Sequence, residues 1–290
     1  MIAGNKATGA SMAETEYVEK QLPTKTLVYR HSLIVRITHW INVLCILVLV
    51  MSGLQVFNAH PALYWGDKST FDDPVLAMRS ERGESGLVGV TTVLDARFVT
   101  TGVLGVSGAS DGSPTARGFP SWATLPSYRD LSTGRRWHFF FAWLFVINGL
   151  VYIAVSLLNR HVWRDLVPSG EQVRKIGHSI SEHLRFRFDH GRDYNVLQKL
   201  SYLVMIFIVL PLVILAGLAM SPGLDSAFPW IVDLFGGRQS ARTVHFIAAT
   251  AIVLFVLVHV AMVLVSGVWN NLRSMVTGRY ATRHGENAHD

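Results

Sequence analysis

One cysteine in 290 residues, Cys45, removes several chemistries at once. The chain forms no intrachain disulfide, offers no CxxCH haem attachment and cannot hold an iron–sulfur cluster through thiolates. Charge is scarce too: 16% of residues are charged, against 50% hydrophobic. Four long stretches, 33–57, 137–158, 196–220 and 244–268, contain no carboxylate. That absence weighs against a proton-coupled transporter using histidines as a relay, which would place acids inside its spans. The four stretches also lack a polar face, so they do not read as amphipathic helices of a soluble fold. No small-residue cleavage site lies in the first thirty residues, so no removable signal peptide is expected. The net charge of +6 comes from basic flanks, where anionic lipid is the natural counterpart, and no nucleic-acid binding is inferred.

Each apolar stretch is long enough to cross a hydrocarbon core. The expected fold is an all-α integral membrane protein, a four-transmembrane-helix bundle with a long extracytoplasmic loop between helices 1 and 2. Its parts are a tail at 1–30, a membrane domain at 31–277 and a tail at 278–290. The membrane domain includes an outer loop at 58–134 and an inner loop at 159–195. Lys20, Lys25 and Arg30 precede the first span, seven Lys and Arg from Arg160 to Arg192 fill the inner loop, and Arg273, Arg279 and Arg283 follow the fourth. With four spans these regions share a side, and the positive-inside rule makes it the cytoplasmic face of a bacterial inner membrane. Both termini are then cytoplasmic. The mildly apolar segment 87–108 carries Asp95 and Arg97 among Gly and Thr, and reads as β-prone loop, not a fifth span.

His245 and His259 lie fourteen residues apart on the fourth stretch, while His39 and His138 sit near the starts of the first two. Fourteen residues are almost four turns, so both fourth-span imidazoles leave one face about 21 Å apart. That places one near each edge of a hydrocarbon core roughly 30 Å thick. Threading four spans pairs His39 with His259 on the inner side and His138 with His245 on the outer. Two stacked bis-imidazole sites suit haem b, two per chain and non-covalent. No carboxylate, second Cys or third His lies at matching depth to favour zinc or copper. His31 is a fallback ligand should His39 not serve.

Arg36, Arg135 and Arg242 each precede a ligand histidine by three residues. Arginine one turn nearer the interface on the same face suits a haem propionate. For Arg36, ordinary interfacial snorkelling serves equally well. Gly53 and Gly149 fall on the faces of His39 and His138 but at the depth of the opposite site, where a porphyrin could approach the backbone. The third span has no histidine and reads as a packing helix kinked at Pro211.

Four stretches carry a family likeness: Arg30-His31-Ser32 through His39-Trp40-Ile41-Asn42, His60-Pro61-Ala62-Leu63-Tyr64-Trp65-Gly66, Gly118-Phe119-Pro120-Ser121-Trp122, and Gly134-Arg135-Arg136-Trp137-His138. The chain resembles the four-helix di-haem b-type cytochromes, which comprise bacterial cytochrome b561 and the cytochrome b subunits of nickel–iron hydrogenase, formate dehydrogenase and thiosulfate reductase. The thiosulfate-reductase-type branch is the most similar. The resemblance spans about 29–277 and implies ligation by His39, His138, His245 and His259. It also implies electron transfer between membrane quinone and a catalytic subunit outside.

The outer loop exposes Trp65, Phe119, Trp122 and Tyr128. Aromatics beside arginine favour docking of an extracytoplasmic oxidoreductase, of molybdenum-enzyme or hydrogenase type, over a self-packed cap. In the inner loop Val173, Ile176, Ile180 and Leu184 suit a helix on the inner leaflet or the wall of a quinone site. With both axial positions of each iron filled, an electron-transfer subunit is expected, not an enzyme in its own right. The alternatives are a free-standing quinone-linked oxidoreductase, reducing superoxide or ferric ions, and, behind it, the transporter. Membrane lipid and quinol are the remaining expected partners, and a homodimer is left open.

Overall fold

The computed structural model describes residues 25–283 except 85, 110, 161, 175–176 and 178–195. Four apolar helical spans are present: Leu33–Phe57, Leu131–Leu158, Val196–Ala219 and Arg238–Val265. Lipid cannot satisfy backbone polar groups, so each span closes its own ladder and its ends need caps. Ser32 accepts from the Val35 amide at 3.4 Å to start the first span. Asp130 accepts from the Thr133 amide at 3.0 Å and its hydroxyl at 2.7 Å to start the second. Those two bonds hold the Asp130 carboxyl below its ordinary range.

The expected boundaries shift at two places. The second span begins at Leu131, six residues before 137, so Arg135 and Arg136 belong to its first turns. The fourth begins at Arg238 and stops at Val265, because Gly267 takes φ +101° and redirects the chain into a separate helix, Val268–Thr277. That positive φ is open to glycine at little cost. The third span is interrupted as its proline suggests. Val196–Val204 passes through a π turn at Met205–Val209 into Leu210–Ala219, with Pro211 in the first turn of the last piece. Proline has no N–H to return to the preceding turn, and the π turn absorbs the mismatch.

The first and second spans pack together through Cys45, Val48, Phe141 and Phe145. The third and fourth pack through Val213, Ala248 and Ile252. Among the described residues the fourth span makes no comparably close backbone contact with the first or second. The two helix pairs meet through longer side chains, with Leu210 and Ile214 of the third span against the first-span cluster and Ile46 of the first span against Val213 and Ile252. Leu47, Leu150, Leu254 and Leu264 point outward, as lipid-facing residues should.

Strand β1, Lys25–Tyr29, pairs antiparallel with the last strand, Arg279–Arg283. The two expected tails are therefore joined over these residues, at one end of the bundle. At the other end the connection between the first two spans folds into antiparallel sheet. Strands β2 (Ala62–Leu63), β3 (Leu76–Gly83), β4 (Gly86–Val93) and β5 (Ala96–Val99) run in that order, with β6 (Val106–Gly108) and β7 (Pro114–Ala116) as a second pair. The segment 87–108 is thus strand and turn. Leu63 and Met78 pack with Phe57 at the end of the first span, with Phe246 of the fourth span against them. The β layer lies on the bundle end beside His245. In the inner loop Gly170–Arg174 is helical, whereas Ile176, Ile180 and Leu184 lie outside the described residues, as do His161, His178, His183, His190, His284 and His289.

Candidate haem sites

The four histidines meet in the two pairs expected from depth. At the end carrying both termini, the rings of His39 and His259 have centroids 6.3 Å apart. At the β end, those of His138 and His245 are 6.2 Å apart. Imidazoles on opposite sides of one metal, each with a bond of about 2 Å, place ring centres about 6 Å apart. Both spacings are what two imidazoles that held one metal between them would show.

The β-end pair is also oriented for this use. Ser52 donates its hydroxyl proton to the Val48 carbonyl at 2.6 Å, so its oxygen accepts from His138 Nδ1 at 3.1 Å. His245 Nδ1 donates to the Val213 carbonyl at 2.8 Å. Each bond occupies Nδ1 with its proton and leaves Nε2 as a lone-pair donor, the tautomer a metal requires. Glycine makes these approaches possible. A Cβ on Gly53 would stand 3.3 Å from His138 Cε1, and one on Gly217 would stand 3.3 Å from His245 Cε1 and Nδ1. Gly217 follows Val213 by four residues, so its missing side chain opens that carbonyl to the imidazole. Gly149 faces open space. Replacing Gly217 with Leu should push His245 off its seat. The reduced-minus-oxidised haem absorbance per chain should then fall by about half, with the other site kept.

The three arginines differ. Arg36 donates through Nη1 to the Val276 carbonyl, and its Nε is a buried donor with no acceptor among the described residues. That orphaned N–H beside His39 fits an anionic group there. Arg242 donates to the His60 carbonyl and lies over the Phe57 ring at 5.4 Å. Arg135 is exposed, over Phe139 at 5.6 Å. His31 is half-buried, and its backbone amide bonds Gly278.

Other residues surround the histidine pairs. Asn148 donates to the Thr38 carbonyl at 2.8 Å and to Asn42 Oδ1 at 2.7 Å, tying the first two spans together beside His39. The His60–Gly66 segment straps the start of the fourth span. Its Gly66 carbonyl accepts from the Gln239 and Ser240 amides at 2.9 and 3.1 Å, and the Tyr64 carbonyl accepts from the Thr243 hydroxyl at 2.6 Å. Gly237 offers no side-chain cap, and the Gly66 carbonyl satisfies two helix amides in its place. Burial, then the Arg242 and Arg79 charges, hold the His60 imidazole below its ordinary value. Phe119 is locked to the end of the first span by a reciprocal pair with Asn58, at 2.6 and 3.2 Å. Gly118 is required there, since a Cβ would meet Pro61 at 2.8 Å.

Comparison with known proteins identifies the family of the whole membrane region. The sequence model of the prokaryotic cytochrome b561 family matches residues 30–278. A relative from Azospira oryzae is named "Putative protein-methionine-sulfoxide reductase subunit YedZ1". It is 27% identical over 230 residues, covering 79% of this chain and 86% of its own.

Proposed function

The chain belongs to the prokaryotic cytochrome b561 family, and on that premise we propose that it is a di-haem membrane subunit passing electrons between quinone and an extracytoplasmic catalytic partner. The observation that carries the reading is the pair of imidazole couples, 6.3 and 6.2 Å between ring centroids, at opposite ends of one bundle. Haem b bound there would supply one-electron chemistry at a six-coordinate iron, with no position open to substrate. The protein's own part is to hold four Nε2 atoms in place. Ser52 and the Val213 carbonyl fix two of the rings, and the Gln239 and Ser240 amides bind the strap that anchors the helix carrying both fourth-span ligands. Arg36 and Arg242 are offered as propionate partners, and Arg135 could serve only by swinging inward from the surface.

Quinone is assigned to the end carrying the termini, where Arg36, Asn159 and Arg160 lie, and the partner to the β end. The name of the Azospira relative narrows the partner class to a sulfoxide-reducing subunit of the protein-methionine type. The β layer over the outer site favours handing electrons to a docked protein over releasing them to small oxidants at a bare edge. The test uses the purified chain in vesicles. A short-chain quinol should reduce both haems, and reoxidation by a methionine sulfoxide should require the co-expressed catalytic subunit. Reoxidation by superoxide or ferric chelate alone, at the same rate, would favour the free-standing reading.

A further inference from the structure

Lys199 is the one charged residue of the third span, four residues in from its start, and it is 8% exposed. A lysine near a span end ordinarily snorkels its amine into the interface. This one does not. The start of the third span packs on the π turn Val162–Leu166, and Val162, Leu166, Val196 and Lys199 are buried where they meet. Among the described residues its polar contact is the neutral Gln172 amide oxygen, 3.3 Å away. Among the described residues, then, this buried ammonium is held by one uncharged acceptor and meets no anion that would offset its desolvation.

The fold shows where that anion belongs. One turn from Lys199, Tyr202 packs on Phe255 with centroids 6.2 Å apart, and Phe255 stacks on the His259 ring at 6.0 Å. The third and fourth spans run antiparallel. Lys199 lies one turn from Tyr202 toward the end carrying the termini, and His259 lies one turn from Phe255 in the same direction. The lysine is therefore level with the inner ligand. We propose that Lys199 is an anion-binding residue of the inner haem site, its ammonium holding a propionate carboxylate of the haem ligated by His39 and His259. This rests on the di-haem reading above. It adds to Arg36 a cation from a span that brings no iron ligand, and it gives the third span a part in binding.

The test is spectroelectrochemical titration of the full-length chain with both haems, using Lys199→Met, Lys199→Gln and Lys199→Arg. Ferric haem carries one more positive charge than ferrous, so removing a neighbouring cation stabilises the ferric form. The Met and Gln variants should lower the reduction constant of one haem about tenfold, a 59 mV fall for a one-electron couple. That haem should be the one lost in His259→Ala. Arg should hold the wild-type value. If Met prevents the inner haem from loading, Arg should restore loading. Unchanged midpoints in Met and Gln, an equal shift of both haems, or loss of the inner haem from Arg as well would overturn the proposal. So would a shift seen in phosphatidylglycerol vesicles and absent in phosphatidylcholine, which would assign the cation to lipid phosphate. Should the wild-type chain itself load no inner haem, the di-haem reading fails, and not the role of Lys199 alone.

Discussion

Replacing His138 or His245 with Ala should remove the same haem, and replacing His39 or His259 should remove the other. Each single variant should keep one redox component of two. The double variant His138→Ala/His245→Ala should lose no more than either single change, because both side chains serve one iron. The effect is large: a metal with one of two axial imidazoles gone loses most of its hold on a non-covalent porphyrin, and the surviving component reports that the fold persists. Redox titration of membranes resolves the two components. If His39→Ala and His245→Ala instead eliminated the same component, the pairing by depth would be wrong, despite centroid spacings of 6.3 and 6.2 Å.

Altering the β layer should separate partner turnover from quinol oxidation. Trp122 is 78% exposed, and Phe98 and Val99 stand out from the edge strand β5. Exposed aromatics near an arginine-rich surface are where binding energy concentrates, at about 2 kcal/mol or more for a central residue. Trp122→Ala with Phe98→Glu should lower partner-dependent turnover roughly thirtyfold, the factor matching that free energy. Neither side chain belongs to the packed cluster of Phe57, Leu63 and Met78. Reduction of both haems by quinol should therefore stay at the wild-type rate. A variant that lost quinol reduction and still bound its partner would reverse the proposed polarity.

Much of this arrangement was legible in sequence because lipid narrows the choices. A largely apolar stretch of 25 residues closes its backbone hydrogen bonds in hydrocarbon as a helix, and the first span ends where that stretch ends. Histidine spacing then fixed depth, since a helix converts residue number into distance. What stayed hidden needed the third dimension. Nothing marks Ser52 as the partner of His138, 86 residues away, or Val213 as the carbonyl that orients His245. Gly217 is one more glycine in an apolar helix, and its role depends on which side chain faces it. The early start of the second span was masked by polar Ser132, Thr133 and Arg135, which look like loop until the Asp130 cap is seen. The motif His60–Gly66 showed a family likeness without a reason, and the reason is a strap whose carbonyls replace a missing helix cap. Lys199 was one charge in a long apolar run, and only its burial sets it apart from an ordinary interfacial lysine.

The proposed function requires one chain to hold two haems, each between two histidines. Pyridine haemochrome quantitation against protein concentration, with low-temperature electron paramagnetic resonance on the same oxidised sample, tests it most directly. The expected result is two haem b per chain, both low-spin. One haem per chain, or a high-spin signal from either site, would contradict it.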